Sequence, residues 1–284
     1  MTVPVNTVQY LSPRNFNRLA RYIHDTAGIK MPPNKRVMLE GRLRRRLNAL
    51  GLPNFDAYCR FLFEEDGLAS EKVALIDAVT TNKTEFFREP DHFHHLANIA
   101  LPDLAEQGVG MGGRTAKIWS TAASIGAEPY TIAMVLAEFS RHHTGWRGTV
   151  VATDICTDAL NKAVTAIYPE QMIAPVPMDL RHRYLMRAKD QRRAEVRIVP
   201  ELRRLVSFGR LNLMDNRYNL DRDFDVVFCR NQLIYFDKPT QMAVLERICD
   251  HLRPGGILYL GHSETIAGFD LPVRQIAASI FQRL

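Results

Sequence analysis

Several things are missing from this sequence, and each absence excludes something. The four cysteines (Cys59, Cys156, Cys229, Cys249) are scattered with no C-x-x-C pair. That argues against a zinc site and a disulfide framework, and fits a reducing compartment. No apolar run approaches the roughly 20 residues that span a bilayer, so no membrane insertion is expected. The opening MTVPVNTVQYLSPRNF has no charged segment leading into an apolar one, so no secretory signal is read there and a cytoplasmic protein is expected. The G-x-G-x-x-G spacing of a dinucleotide site is absent, and so are internal repeats and low-complexity tracts.

What is present is a chain of 284 residues, 46% hydrophobic. That is enough for a packed core and for one large domain or two modest ones. The net charge of +6 is compatible with an acidic partner, a nucleic acid or a membrane surface, or with a basic protein that uses its charge for nothing.

From about Ser12 to Thr80 the pattern is helical: Phe16, Leu19 and Ile23 repeat at helical spacing, as do Leu39, Leu43 and Leu47. Pro32-Pro33 breaks the first pair of helices, Gly51-Leu52-Pro53 stops the second, and Phe55 to Phe63 forms a further short helix. A polar and then aromatic stretch, TTNKTEFFR (Thr80 to Arg88), leads to a helix over about Pro90 to Glu106 and a Gly-rich loop, Gln107 to Arg114. From Lys117 onward strands alternate with helices, which predicts a parallel sheet with flanking helices. Phe224 to Cys229 and Ile257 to Leu260 read as buried strands, and a last strand falls near Ile276 to Gln282. The charged segment from about Ile167 to Phe208, ending in alternating runs at Ala194 to Val199 and Leu205 to Phe208, reads as a small inserted β element. The expected domains are therefore 1–80, all helical, and 81–284, α/β with the insertion at about 167–208.

The α/β part holds the chemistry. KIWSTAASIGAEPYTIAMVLAE followed by TVVATD is strand, small-residue loop (Ser120 to Gly126), helix, strand and acid. Small residues let a backbone approach a ligand, and an acid after the second strand, Asp154, is placed to hold ribose hydroxyls. Asp154 as a helix N-cap is the competing reading, but Thr157 or Asp158 can take that duty. Without a phosphate cradle, a nucleoside cofactor such as S-adenosylmethionine fits better than a dinucleotide, and on spacing alone an ordinary βα turn is an equal alternative. Asn231 and Tyr235, after the strand Phe224 to Cys229, sit where ligands bind in open α/β sheets; the alternative is that Arg230-Asn231 only turn the chain and Tyr235 is core. Asp91-His92-Phe93-His94-His95 has no matching carboxylate motif, so these are read as surface or core histidines, like His142-His143, and no metal is expected. On KRVMLEGRLRRR, Lys35, Arg42, Arg45 and Arg46 flank the leucine stripe with Glu40 the only acid, which makes a docking face for an acidic partner a live alternative to a solvated surface.

Taken in order, TTNKTEFFRE, IWSTAASIGAEPY, VVATD, CRNQLIYFD and RPGGILYLGHSE resemble the CheR family, the chemotaxis receptor methyltransferases. The resemblance spans nearly the whole chain and includes the LRRRLNALGL run. It implies a Rossmann-like S-adenosylmethionine-dependent methyltransferase domain with an inserted antiparallel β subdomain, after an all-α domain. It implies methyl transfer from S-adenosylmethionine to glutamate side chains of chemoreceptor cytoplasmic helices, leaving S-adenosylhomocysteine. It further implies that Asn82, Thr84, Arg88, Glu128, Asp154, Asn212, Leu213, Arg230 and Asn231 bind the cofactor, and that Arg88 and Tyr235 stand near the transferred methyl. Two positions depart from the family: Ala127 replaces an acid and Ile125 a threonine. The insert loop Arg187 to Ala194 lacks glycine, which argues against the receptor pentapeptide tether used in part of the family and for direct binding through the basic helix. A monomer that binds no nucleic acid is expected. The alternatives are a non-catalytic S-adenosylmethionine-binding adaptor and, further off, a nucleic-acid methyltransferase, for which no RNA module or stacking platform is visible.

Overall fold

The computed structural model describes residues 10–190 and 192–284. Residues 1–9, which carry most of the reading against a secretory signal, and Gln191, in the loop Arg187 to Ala194, lie outside the described residues. By its contacts the chain divides after Thr81 into two compact units. No helix among the described residues is long and apolar enough to cross a membrane.

The first unit is helical: α1 (Pro13–Ala27), α2 (Arg36–Leu50), α3 (Phe55–Glu64) and α4 (Leu68–Val79). Ser12 caps α1 by accepting the Asn15 N–H, with Pro13 at the first helical position, and Asn54 caps α3 in the same way through the Ala57 N–H. The leucine stripe of α2 turns inward, and Leu39, Leu43 and Leu47 are buried.

The second unit begins with α5 (Pro90–His95), a π-helical turn over Leu96–Ala100, and α6 (Leu101–Glu106). There follow β1 (Ala116–Ser120), α7 (Ala127–His142), β2 (Gly148–Asp154), α8 (Thr157–Thr165), β3 (Ile167–Pro169), α9 (Met178–Tyr184), β4 (Leu185–Arg187), β5 (Glu195–Ile198) and α10 (Pro200–Arg203). The chain ends with β6 (Val206–Arg210), β7 (Phe224–Cys229), α11 (Lys238–His251), β8 (Leu252–Leu260), β9 (Val273–Ala277) and β10 (Ile280–Arg283).

The main sheet has the order β6-β2-β1-β7-β8-β10-β9. Its first five strands are parallel; β10 runs antiparallel to β8, and β9 antiparallel to β10. The period-2 alternation of the strands separates two cores. Ile118, Val226, Phe228 and Tyr259 point to the side of α5, α6 and α7, whereas Trp119, Val227, Cys229 and Leu258 point to the side of α11. Both faces are thus covered, as a parallel sheet requires.

Three expectations are corrected here. The sheet is mixed rather than purely parallel. The predicted last strand is a hairpin of two, because Ser279, at φ +57°, turns the chain between β9 and β10. The run Leu205 to Phe208 is not part of the insert: β6 pairs parallel with β2 at the edge of the main sheet, and the inserted sheet is β3-β5-β4 alone. A charged strand with one exposed face reads the same in either place, since only its partner differs.

Candidate functional site

The strand order reverses at β1, whose neighbours β2 and β7 lead away in opposite directions. Crevices outside the carboxyl ends of strands at such a switch point are where open α/β sheets bind ligands. The loops after β1, β2, β7 and β8 meet there, and the segment from Asn82 to Glu89 crosses their ends.

At one end of that segment, the Asn82 carbonyl accepts from the Ser124 hydroxyl at 3.0 Å and its side-chain amide donates to Cys156 Sγ at 3.3 Å. Asp154 closes the loop beneath: its Oδ2 accepts the Ser124 N–H at 2.7 Å and its Oδ1 the Cys156 N–H at 2.9 Å. The residue flanking α8 in the cap position is Cys156, so Asp154 is no helix cap. The arrangement also bears on the cofactor. A loop amide that would otherwise be offered to a phosphate is already committed to an internal carboxylate, which disfavours a polyanion and suits a nucleoside.

At the other end, buried Arg230 lies between two carboxylates. Its Nη1 donates to Glu128 Oε2 at 3.0 Å and its Nη2 to Glu89 Oε2 at 3.0 Å, while the Arg88 carbonyl also accepts from Nη2. Ser120 donates to Glu128 Oε1 at 2.8 Å, and the Asn231 amide to Glu89 Oε1 at 3.1 Å. Burial pushes the Glu128 carboxyl above its usual range, although Arg230 and Ser120 pull it back. At Glu89 burial acts the same way, but the Asn231 amide and Arg230 outweigh it and hold the carboxyl below its usual range. Glu89, Glu128 and Asp154 against a single buried guanidinium make a lining suited to a cofactor of net positive charge, such as a sulfonium with an ammonium group.

Four non-glycine residues of the site hold positive φ: Phe87 (+53°), Glu89 (+57°), Ser124 (+51°) and Asn231 (+57°). Such backbone strain concentrates where side chains must be aimed.

The remaining expected residues are placed less directly. Arg88 is half-buried; its guanidinium makes one long bond, 3.4 Å to the Lys83 carbonyl, and no ion pair among the described residues. Thr84 is half-buried, and its side chain makes no hydrogen bond among the described residues. Tyr235 sits in a 3-10 turn, Leu233–Tyr235, half-buried over the α11-side core. Asn212 accepts the Met214 N–H, and the Leu213 side chain is in the core with its carbonyl accepting from Tyr218 and Arg247, which leaves that residue little but its N–H to offer a ligand. Ala127, where an acid was expected, is fully buried in the core under α7, and the position is a packing position in this chain.

Of the four cations expected on a docking face, two have partners within the first unit. Arg42 donates to the Val79 and Thr80 carbonyls and to Thr81 Oγ1. Arg46 makes a bidentate pair with the buried Glu71, 2.7 Å at each oxygen, which Tyr58 joins. Both half-buried arginines are drawn toward these internal acceptors, whereas Arg45 is exposed and Lys35 half-buried.

The sequence reading missed Glu89, Ser120 and Glu264. It also found no carboxylate for His92, and the structure supplies one: Glu89, His92 and His262 have potential ligand atoms within 4.8 Å of one another. Arg230, however, already pairs with the Glu89 oxygen nearest His92, so a cation entering there would meet a guanidinium.

Comparison with known proteins fits this site. Residues 82–281 match the family model of the CheR methyltransferase SAM-binding domain and residues 14–80 that of the CheR all-alpha domain. The second unit is thus a S-adenosylmethionine-binding methyltransferase domain. The chain belongs to the CheR methyltransferase family. It is 41% identical to the chemotaxis protein methyltransferase of Salmonella typhimurium over 257 residues, 90% of this chain and 85% of the relative. It is 37% identical to that of Borreliella burgdorferi (89% and 88% covered) and 36% identical to chemotaxis protein methyltransferase 2 of Pseudomonas aeruginosa (94% and 92%).

Proposed function

We propose that this protein is a protein-glutamate O-methyltransferase that methylates glutamate side chains on the cytoplasmic helices of chemoreceptors, giving glutamyl methyl esters, and that it works as a monomer in the cytoplasm. When bound, S-adenosylmethionine supplies an electrophilic methyl group on a sulfonium, and S-adenosylhomocysteine is the product.

The observation that carries the acceptor class is Arg88: a half-buried guanidinium with no carboxylate partner among the described residues, on the segment that crosses the strand ends. A glutamate acceptor is already ionised at neutral pH, so no general base is needed. What the site must provide is in-line alignment and the removal of water from the nucleophile. Arg88 is suited to steady a carboxylate, of the acceptor or of the cofactor's methionine part, and Tyr235 to border the methyl path. Asn82, Thr84, Glu128, Asp154, Arg230, Asn231 and the Asn212-Leu213 backbone would hold the cofactor. Receptor docking would rest on the basic helix of the first unit, with Lys35 and Arg45 the two of its four expected cations that are not drawn to internal partners.

The test is to incubate the protein with methyl-labelled S-adenosylmethionine and receptor cytoplasmic fragments. Label that is released as methanol by mild base is expected. Base-stable label, or none, would overturn the ester assignment.

A further inference from the structure

After β8 the chain runs Gly261, His262, Ser263, Glu264. Glu264 is buried, 8% exposed, and has no cationic partner among the described residues. Its carboxylate faces backbone. Oε1 accepts the Leu233 N–H at 2.7 Å, and Oε2 accepts both the Asn231 N–H at 2.9 Å and the Gly261 N–H at 2.8 Å. The loop after β8 is thereby bonded to the loop after β7. Contact between them is close: a Cβ on Gly261 would fall 2.5 Å from the Asn231 amide nitrogen Nδ2 and 2.9 Å from Glu264 Oε2.

Asn231 holds a left-handed conformation, φ +57°, which a non-glycine residue keeps only when its surroundings impose it. A buried carboxylate without a cation is costly unless hydrogen bonds compensate it. Here three backbone N–H groups donate to it and offset part of that cost, and two of those donors belong to the loop that carries Arg230, Asn231 and Tyr235. We propose that Glu264 is a positioning residue for the methyl-transfer site: through the Asn231 and Leu233 amides it fixes the conformation in which the β7 loop presents Asn231 to Glu89. The inference rests on the proposed role of that loop in cofactor binding.

Glutamine is the discriminating substitution. It keeps the size of the side chain but replaces one acceptor oxygen with an NH2 that must face N–H groups. In the full-length Glu264→Gln protein, amide exchange at Asn231 and Leu233 should accelerate at least tenfold while the β7 and β8 amides keep their protection. Affinity for S-adenosylhomocysteine, measured by calorimetry, should fall about tenfold, and Glu264→Asp, which retains the charge, should recover part of it. Unchanged exchange at the two amides, or loss of protection spread equally through β7 and β8, would overturn the proposal. So would failure of both variants to fold, which would assign Glu264 to the fold as a whole. Wild-type protein that fails to bind S-adenosylhomocysteine would instead count against the functional reading, since the exchange measurement on the loop does not depend on cofactor.

Discussion

Single residues in this protein separate by what their charges face. Arg88 and Arg46 look alike in sequence, each a cation beside apolar residues, but only Arg46 has a buried acid against it. Arg88→Ala is expected to lower turnover about 10- to 100-fold, the range for one charge-assisted hydrogen bond of about 1.5–3 kcal/mol, with the thermal midpoint unmoved; activity near wild type would remove Arg88 from the site. Arg46→Ala should behave oppositely, costing about 3 kcal/mol in urea unfolding, because it strands the buried Glu71 carboxylate, whereas Arg45→Ala should leave the midpoint where it was. Equal midpoints for the two variants would restore Arg46 to the docking face. His92 gives a pH-dependent case. It is fully buried, both its ring nitrogens lack hydrogen-bond partners, and burial, with Arg230 and His262 and His95 beside it and only Glu89 opposing, lowers its pKa to about 4. With the folded value below the unfolded one, its contribution to stability is whole above about pH 6.5 and is lost as pH falls toward 4, by about 3 kcal/mol in all. Unfolding free energies at pH 7.5, 6 and 5 should therefore drop more steeply for wild type than for His92→Phe; parallel curves would mean that the fold does not shift the titration of His92.

At the scale of elements, legibility followed periodicity. The helical repeat of α1 and α2 is set by local spacing of Phe16, Leu19 and Ile23 and of Leu39, Leu43 and Leu47, all buried as spaced, because one apolar face decides how an amphipathic helix lies. The buried strands β7 and β8 were equally visible as apolar runs. What periodicity does not carry is pairing. β6 went to the insert because nothing local tells an edge strand of one sheet from that of another; its parallel partner β2 is some fifty residues earlier in the chain. The hairpin of β9 and β10 was hidden for a related reason, since its turn uses Ser279 at positive φ rather than the glycine or asparagine that announces such turns. The site divides in the same way. Asp154, Arg230 and Asn231 could be singled out in the sequence because they lie at or just after a strand end. Glu89 and Glu264 were not, because their importance comes from the groups brought to them: Arg230 from 141 positions away and Asn231 from 33. Carboxylates whose partners are distant side chains or backbone amides leave no spacing to detect.

For the molecule as a whole, the question left is what the surplus charge does. The net charge of +6 shrinks as a recognition device once the structure assigns Arg42, Arg46 and Arg230 to internal partners. Many of the cations that remain, Arg45 among them and Arg192 and Arg193 in the insert, are exposed. Exposed charge acts through long-range attraction, which salt screens over about 8 Å at physiological ionic strength, whereas the Arg230 network is buried and screened far less. The two halves of the proposed reaction should therefore respond differently to salt. Raising sodium chloride from 50 to 300 mM should raise the KM for a receptor fragment several-fold, on the order of ten, through weakened encounter with an acidic acceptor surface. Over the same range the Kd for S-adenosylhomocysteine should change by less than about twofold, because that ligand meets buried and hydrogen-bonded groups. Initial rates and calorimetry on the same samples check both. A receptor KM indifferent to salt would mean that the surplus charge serves solubility alone and that the acceptor is recognised by apolar contact and shape. A cofactor Kd that rises as steeply as the KM would place the cofactor in a more solvated site than the buried Arg230 pairing implies.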